Sequence, residues 1–178
     1  MRPRTLSLGL LLLFVLSAAA CTEGVTAQNW TLHTPDGQSI ELSKVSNDKP
    51  QIILFWATWC PYCKALMPHI QSIQMEYAGE IGVLAVNIKE DGDPVAYLRK
   101  GGYDFTLLLE GDDVADQYEI VGTPGVILVD TSQLIRFDLR KIPRPDLDTN
   151  GKELSHRQAA QRLAPYWAAE LRKALDRI

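Results

Sequence analysis

Two cysteines separated by two residues, in Cys60-Pro61-Tyr62-Cys63, are the part of this chain best suited to chemistry. They end the stretch Phe55-Trp56-Ala57-Thr58-Trp59-Cys60-Pro61-Tyr62-Cys63-Lys64, which begins in an apolar run at 52–55. Helical spacing follows at Leu66, Ile70 and Ile73. A Cys-x-x-Cys pair where a strand hands over to a helix reads as a redox-active dithiol. The first N–H groups of a helix are unpaired and its dipole is positive there, so both favour a thiolate. The thiolate is the nucleophile, and this placement lowers a cysteine below its free value of about 8.5. Cys60, nearer the helix start and expected to be the more exposed, attacks. Cys63 then resolves the mixed disulfide. The spacing also admits half a zinc site or a structural disulfide. Zinc needs three or four ligands, yet no second Cys-x-x-Cys exists, and His33, His69 and His156 show no ligand spacing with the pair. A structural disulfide is the other, but so short a loop beside two tryptophans is an unusual staple.

The elements that must hold this pair can be read on either side of it. Residues 30–33 and 38–42 form two short strands about Thr34-Pro35-Asp36-Gly37, with His33 an exposed strand residue. Residues 51–57 make the central strand. The helix from Cys60 runs to about Tyr77 with a bend at Pro68, and packs Met67, Ile70, Ile73 and Met75. Residues 81–88 form a second apolar strand. Asp93-Pro94 opens a helix that ends at Gly101-Gly102. Residues 105–109 are a strand or extended connector, and Asp112 caps a helix through Tyr118. After a turn at 121–125, residues 126–129 and 134–139 make a strand hairpin, and 141–151 is loop. Ser155-His156-Arg157-Gln158 matches a capping box. Ala160, Leu163, Trp167, Leu171, Ala174 and Ile178 behind it keep helical spacing, while Pro165 either kinks that helix or opens a second one. His156 is expected to face solvent. The fold class is α/β, a mixed central sheet flanked by helices on both faces, with an N-terminal β-hairpin and an extended C-terminal helical tail.

The 178 residues suit one domain, and the net charge of −4 argues against a nucleic-acid partner. Residues 1–20 read as a secretory leader: Arg2 and Arg4, an apolar run at 6–15, then small residues. The run is shorter than the roughly 20 residues of a membrane span. Cys21 follows Ala18-Ala19-Ala20, which resembles the lipobox of bacterial lipoproteins, although that motif usually carries leucine where Ala18 stands. Lipidation at Cys21 would anchor the chain to a membrane; ordinary cleavage before Cys21 or after Ala27 is the alternative. Residues 21–29 are then linker or anchor, and 30–178 the domain, with 141–178 a loop plus C-terminal helix extension. The expected location is extracytoplasmic, in the periplasm or cell envelope, where a dithiol stays reduced only if a partner supplies electrons.

Over about residues 30–140 the chain resembles the thioredoxin superfamily, and within it the extracytoplasmic TlpA/ResA-like thiol-disulfide oxidoreductases. The residues that carry this are the N-terminal hairpin, the stretch from Phe55 to Cys63, Pro68 beyond it, and Val121-Gly122-Thr123-Pro124. The resemblance implies a thioredoxin fold, with Pro124 cis against the active-site sulfurs and Thr123 pairing with bound polypeptide. Cytoplasmic thioredoxins carry a buried aspartate where Leu54 stands here. TlpA/ResA-like proteins resemble this chain in a glutamate within Asn87-Ile88-Lys89-Glu90. By that resemblance Glu90, with a raised pKa, would deprotonate Cys63; an exposed loop acid is the other reading.

Direction of electron flow rests on Pro61 and Tyr62. Strong oxidants of the DsbA kind resemble this motif but place histidine where Tyr62 stands. Tyrosine adds no positive charge, so Cys60 should be less acidic and the pair less oxidising. The expected function is therefore reduction of disulfides or oxidised cysteines in client proteins, in cytochrome c maturation or envelope thiol repair. A membrane electron donor of the DsbD/CcdA type would feed it, with no cofactor and no metal. Trp59, Pro61 and Tyr62 would shape the rim where a client docks, and Trp56 would belong to the core. The alternatives are oxidase or isomerase-type exchange, or a metal- or client-binding module without turnover.

Overall fold

The computed structural model describes residues 24–147 and 153–178. The leader, Cys21 and residues 148–152 at the end of the expected 141–151 loop lie outside the described residues. A five-stranded sheet has the order β5-β4-β3-β6-β7, built from β3 (Gln51–Trp56), β4 (Gly82–Asn87), β5 (Thr106–Leu108), β6 (Gly125–Val129) and β7 (Ile135–Asp138). The first three are parallel to one another, β6 runs antiparallel to β3, and β7 antiparallel to β6. A separate hairpin of β1 (Thr31–His33) and β2 (Ser39–Glu41) touches the sheet through a bridge from His33 to Leu109.

Side chains alternate across β3, and that alternation makes two apolar layers. Ile52, Leu54 and Trp56 face the layer shared with α2 (Pro61–Glu76), α3 (Pro94–Gly101) and α5 (His156–Leu175). Ile53 and Phe55 face the other, shared with the hairpin, α1 (Leu42–Asp48) and α4 (Asp112–Gln117). All six β3 residues are buried, and Ile52 to Trp56 form a continuous apolar run. The expected mixed sheet with helices on both faces is the fold observed.

Register places the functional ends together. Trp56 pairs with Asn87 and Phe55 with Gly125. The ends of β3 and β4 and the start of β6 therefore meet at one edge of the sheet. Gly125 is needed for that approach: a Cβ there would lie 2.8 Å from Ile120 Cγ2. Gly102, at φ 66°, ends α3 as the left-handed cap that glycine adopts freely.

Several local expectations change. Residues 42–48 form a helix, where the sequence reading ends its second strand at Leu42 and expects no helix; its seven residues are too few for a clear period. Asp112 is the first residue of α4 and not its cap; its carboxylate instead accepts from the Lys89 N–H at 3.1 Å. Met75 is 71% exposed, although Met67, Ile70 and Ile73 on the same helix are buried. The stretch expected as linker is attached from Val25 onward: Ile135 N–H donates to the Val25 carbonyl and Ala27 N–H to that of Gln133. Pro165 sits inside one continuous α5, whose capping box forms as expected.

Candidate active site

Cys60 is the N-cap of α2, with Pro61 at the first helical position, where its missing N–H costs nothing. The Cys63 N–H donates to Cys60 Sγ at 3.2 Å, one of the unpaired donors of the helix start. The peptide bond before Pro124 is cis, and Cys60 Sγ donates to the Thr123 carbonyl at 3.4 Å. Neither sulfur is open to solvent: Cys60 is 1% exposed and Cys63 0%. The expected difference in exposure is absent, because the Thr123–Pro124 turn covers Cys60. What separates the two cysteines is electrostatic.

The Cys63 thiol donates to Cys60, the largest influence on it, while burial works in the opposite sense. The Thr123 side chain and the Cys63 and Tyr62 backbones add to the lowering, and Cys60 comes to about 6. Burial pushes the Cys63 thiol far up, reinforced by its hydrogen bond to Cys60 and by the Cys60 charge. One sulfur is held as nucleophile and the other as its protonated reserve. The rate of iodoacetamide labelling of the reduced protein should reach half its maximum near pH 6, with peptide mapping finding the label on Cys60. A midpoint near the free-cysteine value of about 8.5 would contradict this asymmetry.

Glu90 departs from its expected chemistry. Burial would raise it, but hydrogen bonds outweigh burial and lower it to about 2. Its oxygens accept from Thr58 Oγ1, Thr58 N–H at 2.9 Å, Asn87 Nδ2 at 2.6 Å, and the N–H groups of Asp91 and Gly92. So committed an anion is a weak base, and the raised pKa expected of a proton acceptor is not found. Its position instead fixes the turn that carries Thr58 and Trp59 toward Cys60. Because its folded value lies below its ordinary 4.5, Glu90 stabilises the fold above that pH and loses this contribution as pH falls through 2. Glu90→Gln should cost about 1–2 kcal/mol in urea unfolding at pH 7, with the gap closing in acid.

The remaining rim residues are set by neighbouring loops. Trp59 is 47% exposed, and its indole donates to the Lys89 carbonyl at 2.7 Å, whereas Trp56 is fully buried as expected. Tyr62 lies between two residues of α5, with ring centres 5.9 Å from His156 and 6.2 Å from Trp167. Tyr62 Oη and His156 Nδ1 are 3.1 Å apart. His156 is exposed as expected, but its closeness to the dithiol was not legible in sequence. The capping box that starts α5 fixed its place on the helix without showing what that helix packs on. Among the described residues no group of three or more His, Cys, Asp or Glu could hold a metal ion.

Comparison with known proteins places this arrangement. Residues 24–138 match the AhpC/TSA family, a span that is more than half of the chain and holds the dithiol, the Glu90 turn and Pro124. The chain belongs to the AhpC/TSA family. It is 28% identical to the thioredoxin-like protein YneN of Bacillus subtilis, over 64% of this chain and 69% of that protein. It is 31% identical to the thiol-disulfide oxidoreductase ResA of Halalkalibacterium halodurans, over 65% and 67%. Relatives of this kind are matched over 55–69% of their own length. A thioredoxin-family thiol:disulfide interchange protein from Chlorobium tepidum superposes with a TM-score of 0.60 at 17% identity, covering 84% of this chain and 99% of that one, which supports the thioredoxin fold. Helix α5 lies beyond the residues matched to the family.

Proposed function

We propose that this thiol-disulfide oxidoreductase works outside the cytoplasm as a reductase of client-protein disulfides. The observation that carries the reading is the setting of Cys60: its sulfur accepts from the Cys63 N–H at the start of α2 and lies against Thr123, and no cationic side chain adds to the lowering of its thiol to about 6. Thioredoxin holds its attacking cysteine near 7, and the strong oxidant DsbA holds its own near 3.5. A strong oxidant is one whose reduced form is exceptionally stabilised; Cys60 receives a moderate version of that stabilisation, and Tyr62 adds no charge to it.

In this reading a client strand lies along Thr123 and Pro124. The Cys60 thiolate attacks one client sulfur, forming a mixed disulfide as the client S–S bond breaks. The other client sulfur leaves as thiolate and takes a proton from water. Cys60 is then uncharged, so the two contributions from Cys60 that hold the Cys63 proton disappear. Burial still opposes ionisation, but the Ala57 backbone and Thr123 favour it. Cys63 releases its proton to solvent and attacks Cys60 Sγ, and the second client thiolate departs. The client gains two electrons and the domain loses two. The Cys63 proton is thus released only after Cys60 has captured a client.

A donor must then reduce the Cys60–Cys63 disulfide, and a membrane donor of the DsbD/CcdA type fits an exported dithiol. The leader supports the location, and lipidation of Cys21 would keep the domain near such a donor. Clients of this chemistry are protein disulfides and oxidised single cysteines, as in cytochrome c maturation or envelope thiol repair. Equilibration of the pair against glutathione and dithiothreitol buffers tests the direction. A potential near thioredoxin's, about −270 mV, supports the reductase; one near −120 mV, the range of DsbA, leaves an oxidase in its place.

A further inference from the structure

Two grooves flank the dithiol, and segments beyond residue 138 wall both. One, of about 360 Å³, lies between Tyr62, the turn at 121–124, and Ile142 and Arg144. The other, of about 450 Å³, runs past Trp59 and Pro61 to Arg157 and Gln161 on α5. Among the described residues, every charged side chain lining either groove is basic: Arg140 and Arg144 in the first, Lys64 and Arg157 in the second. The chain as a whole has the opposite balance, 22 acids against 18 Lys and Arg. Charge is therefore segregated around the site. On the far side of the Trp59 turn, a third cavity is lined by Glu90, Glu110 and Asp112 with one lysine.

The cations differ in how free they are. Arg140 is committed, forked onto the buried Asp138 at 2.7 and 2.9 Å. Lys64 stands 5.9 Å from the Tyr97 ring centre. Arg144 and Arg157 are exposed and form no ion pair among the described residues. The segment bearing Arg144 is held on α5: Arg162 donates to the Leu147 carbonyl at 2.7 Å and Tyr166 to that of Pro143 at 3.2 Å. The C-terminal arm thus places one uncommitted guanidinium on each side of the reactive sulfur. Between them Val121, 91% exposed, and Trp59 offer apolar contact.

We propose that this arm makes the dithiol selective for extended client segments carrying acidic side chains on both sides of the reactive cysteine. An extended segment advances roughly 3.3 Å per residue, so residues two or three positions from the cysteine reach the grooves. Charge complementarity of this kind acts mainly on encounter and on the choice of partner, and is weakened by salt. The inference rests on the dithiol exchange proposed above.

The test uses three peptides identical except for Glu, Gln or Lys flanking one cysteine, each a mixed disulfide with 2-mercaptoethanol. Stopped-flow rates with the reduced protein are compared at low salt and at high salt, beside the neutral 2-hydroxyethyl disulfide. The Glu peptide should react about tenfold faster than the Gln peptide at low salt and the Lys peptide more slowly, with the spread compressed at high salt. In the double variant Arg144→Glu, Arg157→Glu the order of Glu and Lys peptides should reverse. Equal rates for all three peptides, with 2-hydroxyethyl disulfide reduced normally, would overturn the inference alone. Failure to reduce any of the four would overturn the exchange reading and this inference with it.

Discussion

Replacing Cys60 by serine should lower disulfide reduction at least about a thousandfold at neutral pH, because a hydroxyl is not ionised where a thiol near 6 is. Cys63→Ala should behave differently. Its Cys60 still attacks, but nothing resolves the product, so a stable mixed disulfide with the client accumulates. Non-reducing gels and intact mass would show one client-sized adduct in Cys63→Ala and none in Cys60→Ser. Adducts on Cys63 in the serine variant would reverse the assignment of attacking and resolving sulfurs. Removing Cys63 also removes the thiol that most strongly lowers Cys60, so the labelling midpoint of Cys63→Ala should move above pH 6. The two variants together separate nucleophile from proton reserve.

Trp167→Ala should cost about 3–5 kcal/mol, a large part of the roughly 5–15 kcal/mol that holds a domain together. The side chain is 6% exposed, packs in the layer between α2 and α5, and lies against Tyr62. Removing it leaves a void under the Cys-x-x-Cys turn and frees one wall of the groove beside Pro124. The urea midpoint should fall in proportion. Trp167→Phe should recover most of the stability, since an aromatic ring still fills much of the space. A midpoint unchanged in Trp167→Ala would mean that α5 is not integral to the core. The C-terminal helix would then be an appendage, as a family match ending at residue 138 alone would suggest.

What the sequence showed and what it hid follow from the range of the physics involved. The dithiol, the strand before it and the helix after it were legible because each is a local pattern: six buried residues of β3, Pro61 at the first helical position, and the Leu66, Ile70, Ile73 spacing. Pro124 could be placed only by resemblance, since an X-Pro bond is cis in only about 5–6% of cases. Glu90 is found by the same route, but the raised pKa expected of it is absent. Its pKa depends on donors from Thr58, Asn87 and Gly92, which only the register of β3 and β4 brings together. His156 and Trp167 lie about a hundred residues from Tyr62, and nothing local to α5 reveals which helix it packs on. Helix α1 was missed because its buried face offers only Leu42 and Ser46.

The attachment of Val25 and Ala27 near the start of β7 has a counterpart at the other end of the sheet, where His33 bridges to Leu109 beyond β5. Both outer strands of the five-stranded sheet are therefore partly covered by residues that precede β3. An uncovered outer strand is a template for pairing with another chain. Residues 25–33 thus shield backbone that another chain could otherwise pair with. Under the proposed reading, in which clients are extended segments, partly covered outer strands leave the turn at Thr123 and Pro124 beside Cys60 as the place where such a segment pairs.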